Sequence, residues 1–206
     1  MLTLYGFGRS RSLRVAWALE EAGVPYDYRH VDARGGEQRL PPFLALNPGG
    51  KVPVLDTGEA LLTESLAIVT WVGERFAPHL MPGSDPDARA AHLRWGAFVI
   101  GELEQPLWTQ AKHSYALPEA WRVPAVLDTA RREWAVAAGL LSRGLGERPW
   151  IHGEAFTLTD VLVGHTLQWA RLFDYPLGHD NLERYADAVA ARPAWQAAVA
   201  RVRLPG

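Results

Sequence analysis

The chain contains no cysteine in its 206 residues, so no disulfide framework, thiolate metal site or cysteine nucleophile can contribute to its fold or chemistry. A chain without thiols also fits a reducing compartment, and a cytoplasmic location is the expectation. Neither sign of charge is in excess. Lys and Arg number 21 against 23 Asp and Glu, a net −2 with no basic cluster, which argues against nucleic acid or an anionic membrane as a partner. No apolar run approaches the length of a membrane span, and the first residues lack a basic segment followed by an apolar one, so neither spanning nor export is expected. The 7 histidines include no pair at helical ligand spacing, so a metal site is not expected either. What is present is a hydrophobic content of 48%, enough over this length for one large core or two small ones.

Hydrophobic periodicity divides the chain in two. Leu2, Leu4 and Tyr5 read as a strand, Gly6-Phe7-Gly8 breaks it, and Leu13, Ala16, Trp17 and residues 19–22 form a helical stripe ending at Gly23. Tyr26, Tyr28 and His30 alternate with polar neighbours as a second strand, which a crossover of this length makes parallel to the first. Residues 37–46 predict at best an irregular helix, interrupted by Pro41-Pro42. With the hairpin and helix described next, the order is βαβ followed by ββα, a thioredoxin-like α/β domain over residues 1–77. The three prolines of residues 78–86 mark a linker. Residues 87–206 then predict an all-α helical bundle, with helices over 87–104, 124–141, 159–173 and 181–191 and a last one from Pro193. Thr157-Leu158-Thr159-Asp160 reads as a capping box, a structural element.

Residues 47–65 carry the most chemistry. Val52, Val54 and Leu55 read as one short strand and residues 60–62 as another, joined by a turn at Asp56-Thr57-Gly58-Glu59. Pro53 cannot donate to a ladder, so the first strand is expected at a sheet edge or at a strand end, leaving the main chain of Val52 open to an extended ligand. The bond before Pro53 is a candidate for cis geometry. Thr63, Glu64 and Ser65 then open an apolar-periodic helix (Leu66, Ile68, Val69, Val72, Phe76), whose first N–H groups and hydroxyls suit a carboxylate. Glu64 beside them suits an ammonium group, so the stretch fits a small zwitterionic peptide.

Two other glycine-rich segments fail as nucleotide motifs. Gly6-Phe7-Gly8-Arg9-Ser10-Arg11 has Arg11 where a dinucleotide fingerprint needs its third glycine. Gly49-Gly50-Lys51 has Ala45 and Val52 where a phosphate loop needs Gly and Ser or Thr. Arg9-Ser10-Arg11-Ser12 instead opens the first helix with hydroxyls, N–H groups and positive charge, a setting that lowers a thiol pKa from about 8.5.

Lys51-Val52-Pro53-Val54-Leu55 and Thr63-Glu64-Ser65-Leu66-Ala67-Ile68 together resemble the cytosolic glutathione transferase family, bacterial-type and serine-class-like, and the resemblance runs over nearly the whole chain. The first element is similar to the family's strand with its cis-proline, and the second to the Glu-Ser-x-Ala-Ile element that binds the γ-glutamyl end of glutathione. The resemblance implies glutathione as co-substrate, conjugation of its thiol to small, largely apolar electrophiles, and a homodimer. It places Glu64 and Ser65 on the γ-glutamyl head and Val52 on the cysteinyl unit, with Tyr5, Arg11, Lys51 and Pro53 lining the site. The family's serine lies three or four residues before the second serine of a Ser-x-Arg-Val ending, here Ser12-Leu13-Arg14-Val15, a count that falls on Arg9 or Gly8. Ser10 is the nearest hydroxyl and is taken as catalytic with Arg9, while Tyr5-Gly6-Phe7-Gly8-Arg9 also echoes the tyrosine classes and keeps Tyr5 open. Trp108, His113 and Tyr115 are the candidates for the second substrate. A non-catalytic glutathione- or protein-binding member, or a glutathione-dependent isomerase or dehalogenase, is the alternative.

Overall fold

The computed structural model describes residues 1–8 and 10–203; Arg9, one of the candidate catalytic residues, lies outside the described residues. Contacts group the chain into two units, Met1–Met81 together with the chain from Ala191 onward, and Pro82–Ala190.

The first unit holds a four-stranded sheet of order β2-β1-β3-β4, built from β1 (Leu2–Gly6), β2 (Tyr26–His30), β3 (Val54–Asp56) and β4 (Leu61–Thr63). β1 pairs in parallel with β2 through the crossover helix α1 (Ser12–Glu21) and antiparallel with β3. This is the thioredoxin-like arrangement that the order of periodic segments implies. α1 stops where Gly23 takes φ 64°, with its N–H on the Glu20 carbonyl and that of Val24 on the Leu19 carbonyl, the left-handed closure that glycine adopts at least cost. The helix packs against β1, α3 (Ser65–Phe76) and the last helix, α9 (Pro193–Val202). Val15, Ala16, Trp17, Ala18 and Leu19 are accordingly all inaccessible to solvent.

Residues 37–46 are irregular as expected: Glu37–Arg39 form a 3-10 turn, Leu40 is extended, and Pro41 and Pro42 begin a helix of their own, α2 (Pro41–Leu46), because proline at the first helical positions lacks only an N–H that would have no partner there. β3 is interior, flanked by β1 and β4, and Pro53 stands just before it, so of the two places expected for the proline the strand end is the one observed. The all-α stretch expected over 87–206 is divided, since α9 belongs to the first unit. Its Trp195 meets Trp17 edge to face at 5.0 Å, Arg192 pairs with Glu21, and Arg201 Nε lies 2.8 Å from Glu20.

The second unit is helical: α4 (Pro86–Phe98), α5 (Gln105–Ala111), α6 (Val126–Leu145), α7 (Leu158–Leu172) and α8 (Asp180–Ala190). π-helical turns at Val99–Leu103 and Lys112–Ala116 flank α5, which the sequence pattern does not reveal. Asp85 caps α4 by accepting from Ala88 N–H at 2.9 Å. α7 is buried on every side over its first ten residues. Its capping box forms as expected, and the buried Asp160 carboxylate accepts from the N–H groups of Ile151 and Thr157 and the hydroxyls of Thr157 and Tyr185 at 2.6–2.9 Å. Four donors replace the water that burial removes.

Candidate active site

Two helix N-termini of the first unit differ in what they leave open. At α1 the first turn is internally satisfied. Ser12 N–H donates to Ser10 Oγ at 3.1 Å, Leu13 N–H to the Ser10 carbonyl at 3.1 Å and Arg14 N–H to the Arg11 carbonyl at 3.1 Å. The free N–H groups expected there for a thiolate are therefore engaged, and hydroxyls are the donors that remain. At α3 no such bonds form among the described residues. Its first three residues precede the first intrahelical bond, from Ile68 N–H to the Glu64 carbonyl at 3.0 Å, so that turn keeps the donors and partial positive charge that attract an anion.

Ser65, at the first position of α3, is 3% exposed, and its Oγ lies 3.3 Å from Arg14 Nη1. Arg14 is itself fully buried in α1, 51 residues away in sequence. A guanidinium at that depth supplies positive charge beneath the α3 terminus, and because Ser65 Oγ accepts from it, the Ser65 proton is left to donate outward. Arg14 was not among the residues singled out from sequence. The signal was there, since it stands three residues before Trp17 within the apolar stripe, where an unpaired charge is too costly to bury.

Glu64, immediately before Ser65, is exposed and sits at φ 65°, ψ 111°, a conformation that L side chains rarely adopt. Backbone strain of this kind costs about 1–3 kcal/mol and persists only where surrounding structure imposes it. The geometry turns the Glu64 carboxylate to solvent while Ser65 is sunk. Next to this element the Val52–Pro53 peptide is cis. The Val52 main chain forms no hydrogen bond among the described residues, as an added strand would require. Asn47 pins the preceding turn, its Nδ2 donating to the Lys51 carbonyl at 2.7 Å and its Oδ1 accepting from Gly49 N–H at 2.9 Å. The Lys51 side chain is exposed.

The turn between β1 and α1 carries Ser10. Its hydroxyl lies 2.5 Å from the Phe7 carbonyl and 2.9 Å from Ser12 Oγ, and Ser12 Oγ accepts from Phe7 N–H at 3.3 Å. Ser12 is fully buried and Ser10 half-buried. A side chain at Gly6 would collide with this network, its Cβ falling 2.6 Å from Ser12 Cβ and 2.9 Å from the Tyr28 ring. The Tyr28 hydroxyl is buried and has no hydrogen-bond partner among the described residues, and its burial pushes the pKa up to about 12. Tyr5 points to the other face of the sheet, against Val31, Phe43 and Val54, so strand alternation separates it from Ser12. Arg11 occupies the position before α1 and makes no side-chain cap.

Trp108, His113 and Tyr115 belong to the second unit, on α5 and the π turn after it. The His113 ring accepts from Val123 N–H at 3.0 Å, and the Arg122 guanidinium holds the Leu117 and Tyr115 carbonyls at 2.8 and 3.2 Å, so the segment is fixed by its own side chains. Tyr115 is 61% exposed and stacks edgewise on Phe173, which in turn meets Trp169.

A thioredoxin-like sheet, a helix start with open N–H donors, an unpaired strand-end main chain and a hydroxyl-bearing first turn lie together in the first unit. Known proteins share its sequence. The family model described as glutathione S-transferase, N-terminal domain, matches residues 1–74. A maleylacetoacetate isomerase of Pseudomonas aeruginosa is 33% identical over 96% of this chain and 95% of its own. Glutathione S-transferase 3 of Zea mays is 30% identical over 99% and 96% respectively. A theta-class glutathione S-transferase from Xanthomonas axonopodis pv. citri, solved with glutathione bound, superposes with a TM-score of 0.79 at 30% identity, covering 96% of each chain. The chain belongs to the glutathione transferase family.

Proposed function

We propose that the protein is an enzyme that conjugates the thiol of glutathione to small, largely apolar electrophiles, with its glutathione site at the start of α3 and its thiolate donor in the β1–α1 turn. The observation that carries this reading is the Glu64-Ser65 element: an exposed carboxylate held in a strained backbone beside a sunken hydroxyl, with buried Arg14 beneath. Ser65 and the first N–H groups of α3 take the γ-glutamyl carboxylate, Glu64 takes the ammonium group, and Val52 pairs its main chain with the cysteinyl unit. Ser10 Oγ turns from the Phe7 carbonyl and donates to the sulfur. The thiol proton passes to solvent, and the thiolate attacks the electrophile, whose leaving group departs with the bonding electrons. The protein then contributes proximity and thiolate stabilisation.

Glutathione-dependent isomerisation is a second reading. It is favoured by the likeness to maleylacetoacetate isomerase. In that chemistry the thiolate adds to a double bond and leaves after rotation, so the same site serves both. The further readings are a homodimer, checked by light scattering against the 22.8 kDa of one chain, and a cytoplasmic location, supported by the lack of cysteine.

The test of the site is thermal and kinetic. Glutathione at ten times Kd adds about 1.4 kcal/mol, a rise of roughly 3–6 °C in Tm for a chain of this size. Ser65→Ala removes a charge-assisted bond worth about 1.5–3 kcal/mol and should weaken glutathione roughly 10- to 150-fold. Ser10→Ala should lower turnover far more than affinity. A Tm indifferent to millimolar glutathione would end the proposal, and an unchanged response in Ser65→Ala would move the site elsewhere.

A further inference from the structure

We infer that Ser12 is the positioning residue that makes Ser10 an effective donor, an inference that rests on Ser10 acting on the glutathione sulfur. Four groups close a ring: Phe7 N–H to Ser12 Oγ at 3.3 Å, Ser12 Oγ to Ser10 Oγ at 2.9 Å, and Ser10 Oγ to the Phe7 carbonyl at 2.5 Å. Two hydroxyl protons serve this ring, and counting them assigns both. The carbonyl offers no proton, so the 2.5 Å contact takes that of Ser10. The bond between the two hydroxyls must then take the proton of Ser12. Ser10 Oγ therefore accepts twice, from the Ser12 hydroxyl and from Ser12 N–H at 3.1 Å, and donates once.

When a sulfur anion arrives, the Ser10 proton swings from the Phe7 carbonyl to the sulfur while both bonds from Ser12 stay in place. Each draws electron density from the Ser10 oxygen and strengthens its remaining O–H as a donor. Ser12 cannot reach the sulfur itself. It is fully buried, with the Gly6 backbone so close that a Cβ there would fall 2.8 Å from its Oγ. Gly6 thereby sets how closely Ser12 approaches β1, and Ser12 sets where the Ser10 oxygen sits.

The experiment is a double-mutant cycle of Ser10→Ala and Ser12→Ala. Its readouts are kcat, KM for glutathione, and the pKa of enzyme-bound glutathione from the ultraviolet absorbance of its thiolate, which needs no electrophile. Ser12→Ala should raise the bound thiol pKa toward that of free glutathione and lower kcat about tenfold, with KM changed less than twofold. In the Ser10→Ala background the same change should do less than twofold further harm, because its route runs through Ser10. Ser12→Cys keeps the branching of the side chain, at a slightly larger volume, with only a weak S–H donor and should give the same pKa rise, which covers the case of an unfolded Ser12→Ala. An unmoved pKa in Ser12→Ala or Ser12→Cys, or equal losses in both backgrounds, overturns the inference while leaving Ser10 in its role. A fully active Ser10→Ala overturns both.

Discussion

Arg192 and Glu21 form a two-bond ion pair across 171 residues of sequence, Nε to Oε1 at 2.6 Å and Nη2 to Oε2 at 2.7 Å. The Glu21 side chain is 7% exposed and also accepts from Trp17 Nε1 at 2.8 Å. This pair, with the Trp17 and Trp195 rings beside it, ties the last helix to the first. Removing the guanidinium leaves a sunken carboxylate with one neutral donor. Arg192→Ala should therefore lower stability by about 2–3 kcal/mol, read as a fall in the denaturant midpoint at unchanged m-value.

The far end of the same helix reaches the β1–α1 turn. A Cβ at Gly8 would fall 2.5 Å from the Val202 carbonyl, which as backbone cannot move aside cheaply. Gly8→Ala should displace the turn carrying Ser10, costing about 1–3 kcal/mol of stability as overpacking and lowering kcat more than it raises KM for glutathione. Wild-type turnover in Gly8→Ala would show that α9 and the turn are not coupled.

Glu64 carries strain that glycine would not. Glu64→Gly should raise the stability of the ligand-free protein, by about 1 kcal/mol, while weakening glutathione binding through loss of the carboxylate. Calorimetric Tm with and without glutathione separates the two effects, and a variant that binds as tightly as wild type would remove Glu64 from the ammonium site.

A fourth prediction for stability concerns pH. His92, buried on α4, places Nδ1 2.7 Å from Thr159 Oγ1, and His152 Nε2 lies 3.0 Å from the same oxygen. One hydroxyl between two imidazoles donates to one ring and accepts from the other, an arrangement that suits neutral rings. Burial, with His152 and Arg89 nearby, lowers His92 to about 4, and burial with Arg148 and Arg94 lowers His152 as well. Between the unfolded value near 6.5 and these folded values the unfolded chain binds more protons. Stability is therefore full above pH 6.5 and is lost as pH falls, by roughly 3 kcal/mol at His92 down to pH 4. His92→Leu should flatten the pH dependence of the denaturant midpoint in that window.

The residues themselves determined the order of elements and the Glu64-Ser65 start of α3, because both are local: period and turn residues mark strands and helices, and Glu64, Ser65 and the helix they open are contiguous. Proline showed its limits as a signal, since Pro41 and Pro42 break a helix or begin one according to where the chain enters it. Three facts needed the tertiary structure. α9 reads as one more helix of the second unit because a helical stripe does not name its partner, and only the Trp17–Trp195 and Glu21–Arg192 contacts assign it to the first. Arg14 stands out in the sequence as a charge within an apolar stripe, but its neighbour Ser65, 51 positions away, is named only by the fold. Ser10 and Ser12 stand two positions apart in one polar segment, and only the fold shows that Ser12 is buried against Gly6 while Ser10 is left half exposed.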